Sequence, residues 1–490
     1  MSSIKRLFQH TFIYGLATVL PRLLTILLTY LLTKYLPSPV EFGEANIIFS
    51  YIIFANVVLT YGMETAFFRF YNQREHKAKT TSTALVSLLF STLFFLIVCY
   101  ILLDPIAGLI DISADYIKWA IAVVAFDTLA VVPFAKMRVD QQPGKYALIK
   151  MFNVILTVGM TILFFTTLPD LPAIAAVLPS DRIELYFIAL LSASVLTFLL
   201  ICGVYFRTWS FDQKLWKKML SYGWPILLAG LAFAVNETVD KILLQKFLPL
   251  SDTDAKAVVG VYSAGYRLAV GMTLFAQAFR LGVEPFFFSQ AKEKNSLQQY
   301  ALITKAFVAL GVIALMAYVV LVDFIRPFMV DEGFEVAMEI IPVVLIAYLF
   351  SGIYQTLSVW YKINDKTIYG AVISGIAAVV TIAINVVLIP RYGYLASAGA
   401  TCAAYGLMMM VSYLVGKKHF PVPYELGKIS LYLILGIVFS CLFYYYLRPE
   451  NGIESLTTYL YGAGLVVLLT ATIVFLEKDL LQGITRKNKV

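Results

Sequence analysis

The sequence predicts an all-α polytopic membrane protein, and three observations carry that prediction. Of 490 residues 60% are hydrophobic and 14% charged, with a mean hydropathy of +0.81. Soluble domains run near half apolar and about a quarter charged, so this chain belongs in a bilayer. Its apolar residues gather into about fourteen runs, each near the ~20 residues that a helix needs to cross the hydrocarbon. Strand-like alternation of polar and apolar residues is absent, which argues against a β-barrel.

The runs lie at roughly 10–34, 43–66, 83–103, 116–134, 146–168, 185–206, 220–247, 258–287, 301–322, 336–360, 367–389, 394–416, 428–447 and 455–476. Connections are short, so no folded extramembrane domain of ordinary size is expected. Lys5 and Arg6 precede the first run and no small-residue cleavage site follows, which reads as an uncleaved first span.

Charge placement explains the net charge of +8. With the N-terminus inside, the inner connections collect about 25 Lys and Arg, as in RFYNQREHKAK (69–79) and AKMRVDQQPGKYALIK (135–150). The outer ones hold Arg182, Lys256, Arg326, Arg391 and Arg448, and DPIAGLIDISAD (104–115) carries acids without a base. This asymmetry predicts cytoplasmic termini and accounts for the basic balance without nucleic acid. Cys99, Cys202, Cys402 and Cys441 fall within spans and lack CxxC spacing, so neither disulfides nor a metal site is expected.

The seventh span echoes the first. Tyr14-Gly15 and Tyr222-Gly223 open them, and KYLP (34–37) and KFLP (246–249) close them. Gly43 and Gly260 open the spans that follow, and GME (62–64) and GVE (282–284) lie near the ends of those spans. Both copies run the same way through the membrane, so the repeat is parallel, an arrangement that transporters use. The expected organisation is two six-helix lobes, 1–206 and 207–416, with residues 417–490 contributing two extra helices and a tail.

Charges inside the spans are the candidate functional groups, because an ionised group at mid-membrane costs several kcal/mol unless compensated. Arg22 lies in the middle of LATVLPRLLTILLT (16–29), beyond the reach of snorkelling. Thr11, Gly15, Thr18, Arg22, Thr25, Thr29 and Thr33 recur at helical spacing and form one polar face. That stripe either lines a watery cavity with Arg22 at its centre, or packs against a neighbouring helix that supplies a carboxylate. Pro21 marks a kink or break.

Span seven carries NETVDK (236–241). Glu237 and Lys241 stand in the favourable i,i+4 order, which leaves Asp240 for Arg267, at matching depth in span eight. Arg280 and Glu284 form another i,i+4 pair, structural or gating. Asp127, alone in span four, carries a coupling proton or sodium ion, or else makes a helix–helix hydrogen bond. No G-x-x-x-x-G-K-[ST] motif is present, the histidines show no metal spacing, and no nucleophile–base cluster stands out.

DKILLQKFLP (240–249) followed by VGVYSAGYRL (259–268) resembles the seventh-to-eighth helix signature of the polysaccharide exporters. These are lipid-linked oligosaccharide flippases of the O-antigen translocase type, in the multidrug/oligosaccharidyl-lipid/polysaccharide (MOP) superfamily. NVVLIPRYGYLASAGA (385–400) resembles their eleventh-to-twelfth helix junction, and FGEANIIFSYIIFANVVLTYGMETAFFRFY (42–71) their second helix. The resemblance implies two lobes around a central cavity that opens alternately to each side. Its implied cargo is an undecaprenyl-diphosphate-linked oligosaccharide, flipped from the inner to the outer leaflet of the bacterial cytoplasmic membrane. It further implies cationic residues on the first and eighth helices lining the cavity, positions that Arg22 and Arg267 occupy here. An Arg fork suits phosphate oxygens, so Arg22 is expected to hold the headgroup. Neither a cofactor nor an enzyme activity is expected. The partners are membrane lipids, the lipid-linked substrate and glycan assembly enzymes.

Two other readings compete. A multidrug and toxin extrusion (MATE) antiporter usually has twelve helices and would want an acidic, aromatic pocket. A membrane-embedded polymerase or ligase would want a large outer loop, whereas the longest here, LPDLPAIAAVLPSDRIE (168–184), is short and mostly apolar.

Overall fold

A computed structural model describes residues 24–36, 38–72, 77–171, 176, 178–206, 209–290, 296–331, 333–364, 366–449 and 455–478. Among them the regular structure is helical. Twelve helices are long and apolar enough to cross a membrane, judged by length and composition. Two further helices sit where the sequence places spans one and seven. These are α1 (Leu24–Tyr35), the described end of the first, and α9 (Gln213–Phe247), which carries the charges of NETVDK.

Chain order continues as α2 (Pro39–Thr60), α3 (Met63–Asn72), α4 (Lys77–Ile101), α5 (Leu103–Ile110), α6 (Ala114–Val139), α7 (Pro143–Ile162) and α8 (Arg182–Ile201). After α9 come α10 (Asp252–Leu268), α11 (Val270–Gln290), α12 (Ser296–Ile325), α13 (Ile341–Leu357) and α14 (Val359–Ile363). The last four are α15 (Ile368–Tyr392), α16 (Tyr394–His419), α17 (Leu426–Leu442) and α18 (Leu456–Leu476). α7 and α17 each end in a π-turn, Leu163–Thr167 and Phe443–Leu447.

Local signals explain the boundaries. Ser113 caps α6 by accepting from the Asp115 N–H, Asp181 caps α8 through Ile183 and Glu184, and Asp212 caps α9 through Leu215. Pro39 and Pro143 open their helices, where a missing N–H costs nothing. The helix of span five therefore starts at 143 and not at 146, and Lys150 lies two turns inside it. Residues 103–110, expected within a connection, form the short helix α5.

Apolar residues surround most of these helices on all sides, as expected where lipid replaces water. Phe90, Phe94, Ile97 and Ile101 of α4 are exposed as a helical stripe, while its other half is buried by protein. Lipid is as apolar as leucine, so the hydrophobic effect does not pull such helices together. Close backbone approach and interhelical hydrogen bonds do.

The described chain forms two compact units, residues 1–264 with 374–397, and residues 265–373 with 398–490. In the first, α2 and α3 lie antiparallel to α9. Ser50 accepts a hydrogen bond from Thr238, Val57 packs on Gly230, and Gly62 meets Gly223. Gly62 has φ +73° and a Cβ there would lie 2.5 Å from the Gly223 carbonyl oxygen, so the chain turns between α2 and α3 where only glycine fits. In the second unit, α12 is clasped by α17 and α18. Arg448 chelates Asp323 through Nε and Nη2 at 2.7 and 2.8 Å, and both side chains are buried. At the other end of α12, buried Lys305 reaches Glu425 at 2.6 Å and Glu477 at 2.8 Å.

Candidate functional site: a sealed face and a polar cavity

In the first unit the helix ends are unlike. One face carries Arg69, Lys77, Lys79, Lys136 and Arg138 and is called here the basic face; the opposite face carries Asp111, Glu44 and Asp252. At the opposite face α2 crosses α10 with no room for a side chain. A Cβ on Gly43 would lie 1.9 Å from the Lys256 carbonyl oxygen, and one on Gly260 would lie 2.0 Å from that of Pro39. The contact is reciprocal, since each glycine meets the carbonyl one turn before the other.

Side chains reinforce this closure. Lys256 Nζ lies 2.9 Å from Glu44 and 2.6 Å from Asp252. Lys246 donates to Asp111 Oδ2 at 2.5 Å and to the Leu109 carbonyl at 2.9 Å, and buried Gln245 donates to the Ile110 carbonyl. The hydrogen bond from Lys246 holds the Asp111 carboxyl below the ordinary aspartate range.

Asp240 is buried where α9 approaches this face. Tyr262 Oη donates to its Oδ2 at 2.5 Å, and Lys241 Nζ lies 3.1 Å from Oδ1. Tyr262 and Lys241 therefore both hold the Asp240 carboxylate, and Tyr262 lies five residues nearer the α9–α10 turn than Arg267. One turn below, Asn236 begins a buried ladder. Its side chain donates to the Ser374 carbonyl and accepts from Thr381, whose own carbonyl accepts from Asn385, and Ser397 donates to Asn385.

Toward the basic face the same unit is hollow. A cavity of about 580 Å³ runs among α2, α3, α6, α7 and α8. Glu64 and Arg138, joined at 2.9 Å, stand at its rim. Asp127, at the midpoint of α6, is exposed to it, and its Oδ1 accepts from Ser194 at 2.9 Å. Asp127 and Arg138 are eleven residues apart, so the cavity extends about 16 Å along the helix at 1.5 Å per residue. Asn153 donates to Thr197 at 3.0 Å, and Lys150 Nζ lies 4.3 Å from the centre of the Phe134 ring.

The other sequence-derived candidates divide. Arg22, Thr18 and Pro21 lie outside the described residues. Thr29 and Thr33 are 1% and 3% exposed and donate to the carbonyls of Thr25 and Thr29. The described end of the threonine stripe is therefore packed and back-bonded to its own helix, not water-facing. Arg267 is half-buried on α10. Arg280 Nη1 lies 3.3 Å from Gln355 Oε1, and the side chain of Glu284 lies outside the described residues. Sequence reasoning overlooked Lys256, Lys150, Asn153 and Tyr262. The helix start at Pro143 places Lys150 two turns inside its span. The four cysteines are free thiols.

The first unit thus has a close helix crossing toward one side and a cavity toward the other, and the similar solved structures are of membrane transporters. The Lipid II flippase MurJ, in an inward closed conformation, matches with a TM-score of 0.74 at 16% identity, covering 96% of this chain and 99% of that one. An inward-facing multidrug resistance MATE family transporter of the MOP superfamily matches at 0.59 and 13%, covering 84% and 94%. A MOP superfamily transporter from Pyrococcus furiosus matches at 0.57 and 16%, covering 85% and 95%. These likenesses establish the fold. The family follows from the sequence itself: the model described as polysaccharide biosynthesis protein matches residues 7–279, more than half the chain, and the chain belongs to that family. No protein of curated function matches the chain by sequence.

Proposed function

We propose that the protein is an alternating-access flippase that moves an undecaprenyl-diphosphate-linked oligosaccharide from the inner to the outer leaflet of the bacterial cytoplasmic membrane. The reading rests on one observation above all: a polar cavity reaches mid-helix from the basic face, while on the opposite side α2 and α10 meet in backbone contact at Gly43 and Gly260. Membership of the polysaccharide biosynthesis family supports the cargo class, and the flippase named among the similar structures supports the mode of transport.

In this reading the basic face is cytoplasmic, both termini lie there, and residues 1–206 and 207–416 form lobes that part at the outer face. Charge inside hydrocarbon is costly unless it is paired, so a diphosphate needs cations within the membrane. Arg22 and Arg267 fill that role, and Thr18 and Thr25 flank the path, with Thr29 packed behind them. Asp240, Glu237, Lys241, Arg280 and Glu284 belong to gating, and Asp127 is the candidate for a coupling proton or sodium ion. The glycan serves a surface polysaccharide, of O-antigen, capsule or exopolysaccharide type, and assembly enzymes in the same membrane supply it.

The test is deletion of the gene with mass spectrometry of the undecaprenyl-diphosphate-linked pool. Complementation would use wild type, Arg22→Ala and Asp240→Asn at matched expression. Accumulation on deletion, cleared by wild type but not by Arg22→Ala, is the expected result. An unchanged pool with heightened sensitivity to cationic drugs would instead make the protein a MATE-type antiporter.

A further inference from the structure

The cavity among α2, α3, α6, α7 and α8 has a composition that selects its occupant. Its charged groups cancel: Glu64 and Asp127 against Arg138 and Lys150. A multiply charged anion entering would lose its hydration shell without meeting a net field of opposite sign, which disfavours a diphosphate. The remaining polar groups, Asn56, Thr60, Asn153, Ser194 and Thr197, present amides and hydroxyls that both donate and accept. Phe134 and Tyr146, edge to face at 5.6 Å, form an apolar wall beside them. Hydroxyl groups pair with a carboxylate, an ammonium or an amide alike, while the C–H faces of a pyranose lie against aromatic rings. The volume, about 580 Å³, falls within the ~300–1,000 Å³ usual for small-molecule sites.

We infer that this cavity is a glycan subsite, which holds an uncharged sugar residue of the cargo while its diphosphate is bound elsewhere. The inference rests on the flippase reading and adds to it a place and a chemistry for the sugar. Asp127 and Asn153 are the specificity-determining residues. Asp127 reaches from α6 and Asn153 from α7, and Ser194 and Thr197 on α8 hold both by hydrogen bonds that a sugar hydroxyl can share or replace. The site opens toward the basic face, where a lipid-linked glycan of the inner leaflet would present its sugars.

The experiment uses the full chain in nanodiscs with its native cysteines replaced (C99S, C202S, C402S, C441S) and one reporter, Thr197→Cys or, as a second position, Asn56→Cys. Alkylation by a membrane-impermeant thiol reagent is timed in three conditions. These are buffer alone, inorganic pyrophosphate, and the oligosaccharide freed by mild acid from the host's own lipid-linked pool. The glycan should slow labelling severalfold at both reporters, pyrophosphate should not, and Asn153→Leu should abolish the protection. Protection by pyrophosphate in place of glycan would make the cavity an anion site and overturn the inference. Protection by neither would also overturn it. If the deletion strain still accumulates lipid-linked glycan, such a failure removes the subsite and leaves the flippase reading standing. An unchanged pool removes the flippase reading itself.

Discussion

The crossing of α2 with α10 and the clasp around α12 both join helices through Lys or Arg and carboxylates, yet they are built for different ends. In the clasp, Arg448 and Asp323 are 9% and 8% exposed and meet through two parallel hydrogen bonds. Lys305, 5% exposed, is shared by Glu425 and Glu477, and Tyr432 also donates to Glu477. At the crossing, backbones touch directly, and the ion pairs around them are mixed: Lys256 and Glu44 are 9% and 16% exposed, while the others are partly wet. Lys246 and Asp111 are 35% and 51% exposed, and Asp252 beside Lys256 is 45% exposed. A buried charge that loses its partner is heavily penalised, whereas a wet pair can part and be rehydrated. The Arg448–Asp323 pair should therefore be harder to part than the Lys246–Asp111 pair.

The largest effect expected from this contrast is at the clasp. Arg448→Ala strands Asp323 and should cost about 3–5 kcal/mol. It would be read as a lowered Tm of the detergent-solubilised protein, with no change in access to the sealed face. Arg448→Lys should restore little, because an ammonium cannot chelate both oxygens. Second comes Gly43→Leu, which cannot coexist with the Lys256 carbonyl. Overpacking of about 1–3 kcal/mol or more should push the crossing open. A thiol probe at Asp111→Cys should then label faster, and lipid-linked glycan should accumulate. Opening of that face by Arg448→Ala, or unchanged access in Gly43→Leu, would break the distinction between the two regions.

Smaller again is Lys256→Met, which removes a partner from Glu44 and Asp252. Lys256 itself is buried, but the carboxylates left behind are 16% and 45% exposed and can take up water, which should hold the effect near about 1 kcal/mol, seen as a modest rise in labelling with an unchanged Tm. The smallest is acidification. Asp111 is held below the ordinary aspartate range by its bond from Lys246, and Glu425 below the glutamate range by its bond from Lys305. For a depressed carboxyl the stabilisation is complete above the unfolded pKa and is lost as pH falls through the folded one. Both junctions should therefore hold at neutral pH and weaken only below the ordinary carboxylate range. The wet Asp111 pair contributes less, and labelling at the sealed face against pH would show a shallow rise at the acid end.

Much of the fold was legible because bilayer thickness imposes length on every apolar run. Gly43 and Gly260 were legible as members of a repeat, though not as touching each other. Side-chain partnerships were not legible. Helices that are apolar all round carry no periodic mark of which face meets which neighbour. The ladder from Asn236 through Thr381 and Asn385 to Ser397 therefore draws on three helices that no spacing rule connects. Asp240 illustrates the same limit. Depth alone pointed to Arg267, and the hydrogen bond from Tyr262 depends on rotation about the α10 axis, which is invisible in sequence. Asp127 was visible as a lone acid, but the cavity that it faces depends on α7 and α8 packing around it.

The reciprocal glycine contact has the symmetry of an isologous dimer interface, in which a patch meets its own copy across a two-fold axis. In a homodimer, any substitution at such a point is suffered twice, and the interface stays symmetric through every change. Carried within one polypeptide, the two copies are free to diverge. Here Gly43 is followed by Glu44, which takes the lysine, and Gly260 is preceded by Lys256, which supplies it. A symmetric joint would have carried this pair twice, whereas the repeat-related positions here are Pro39 and Val261, so the charge pair occurs on one side alone.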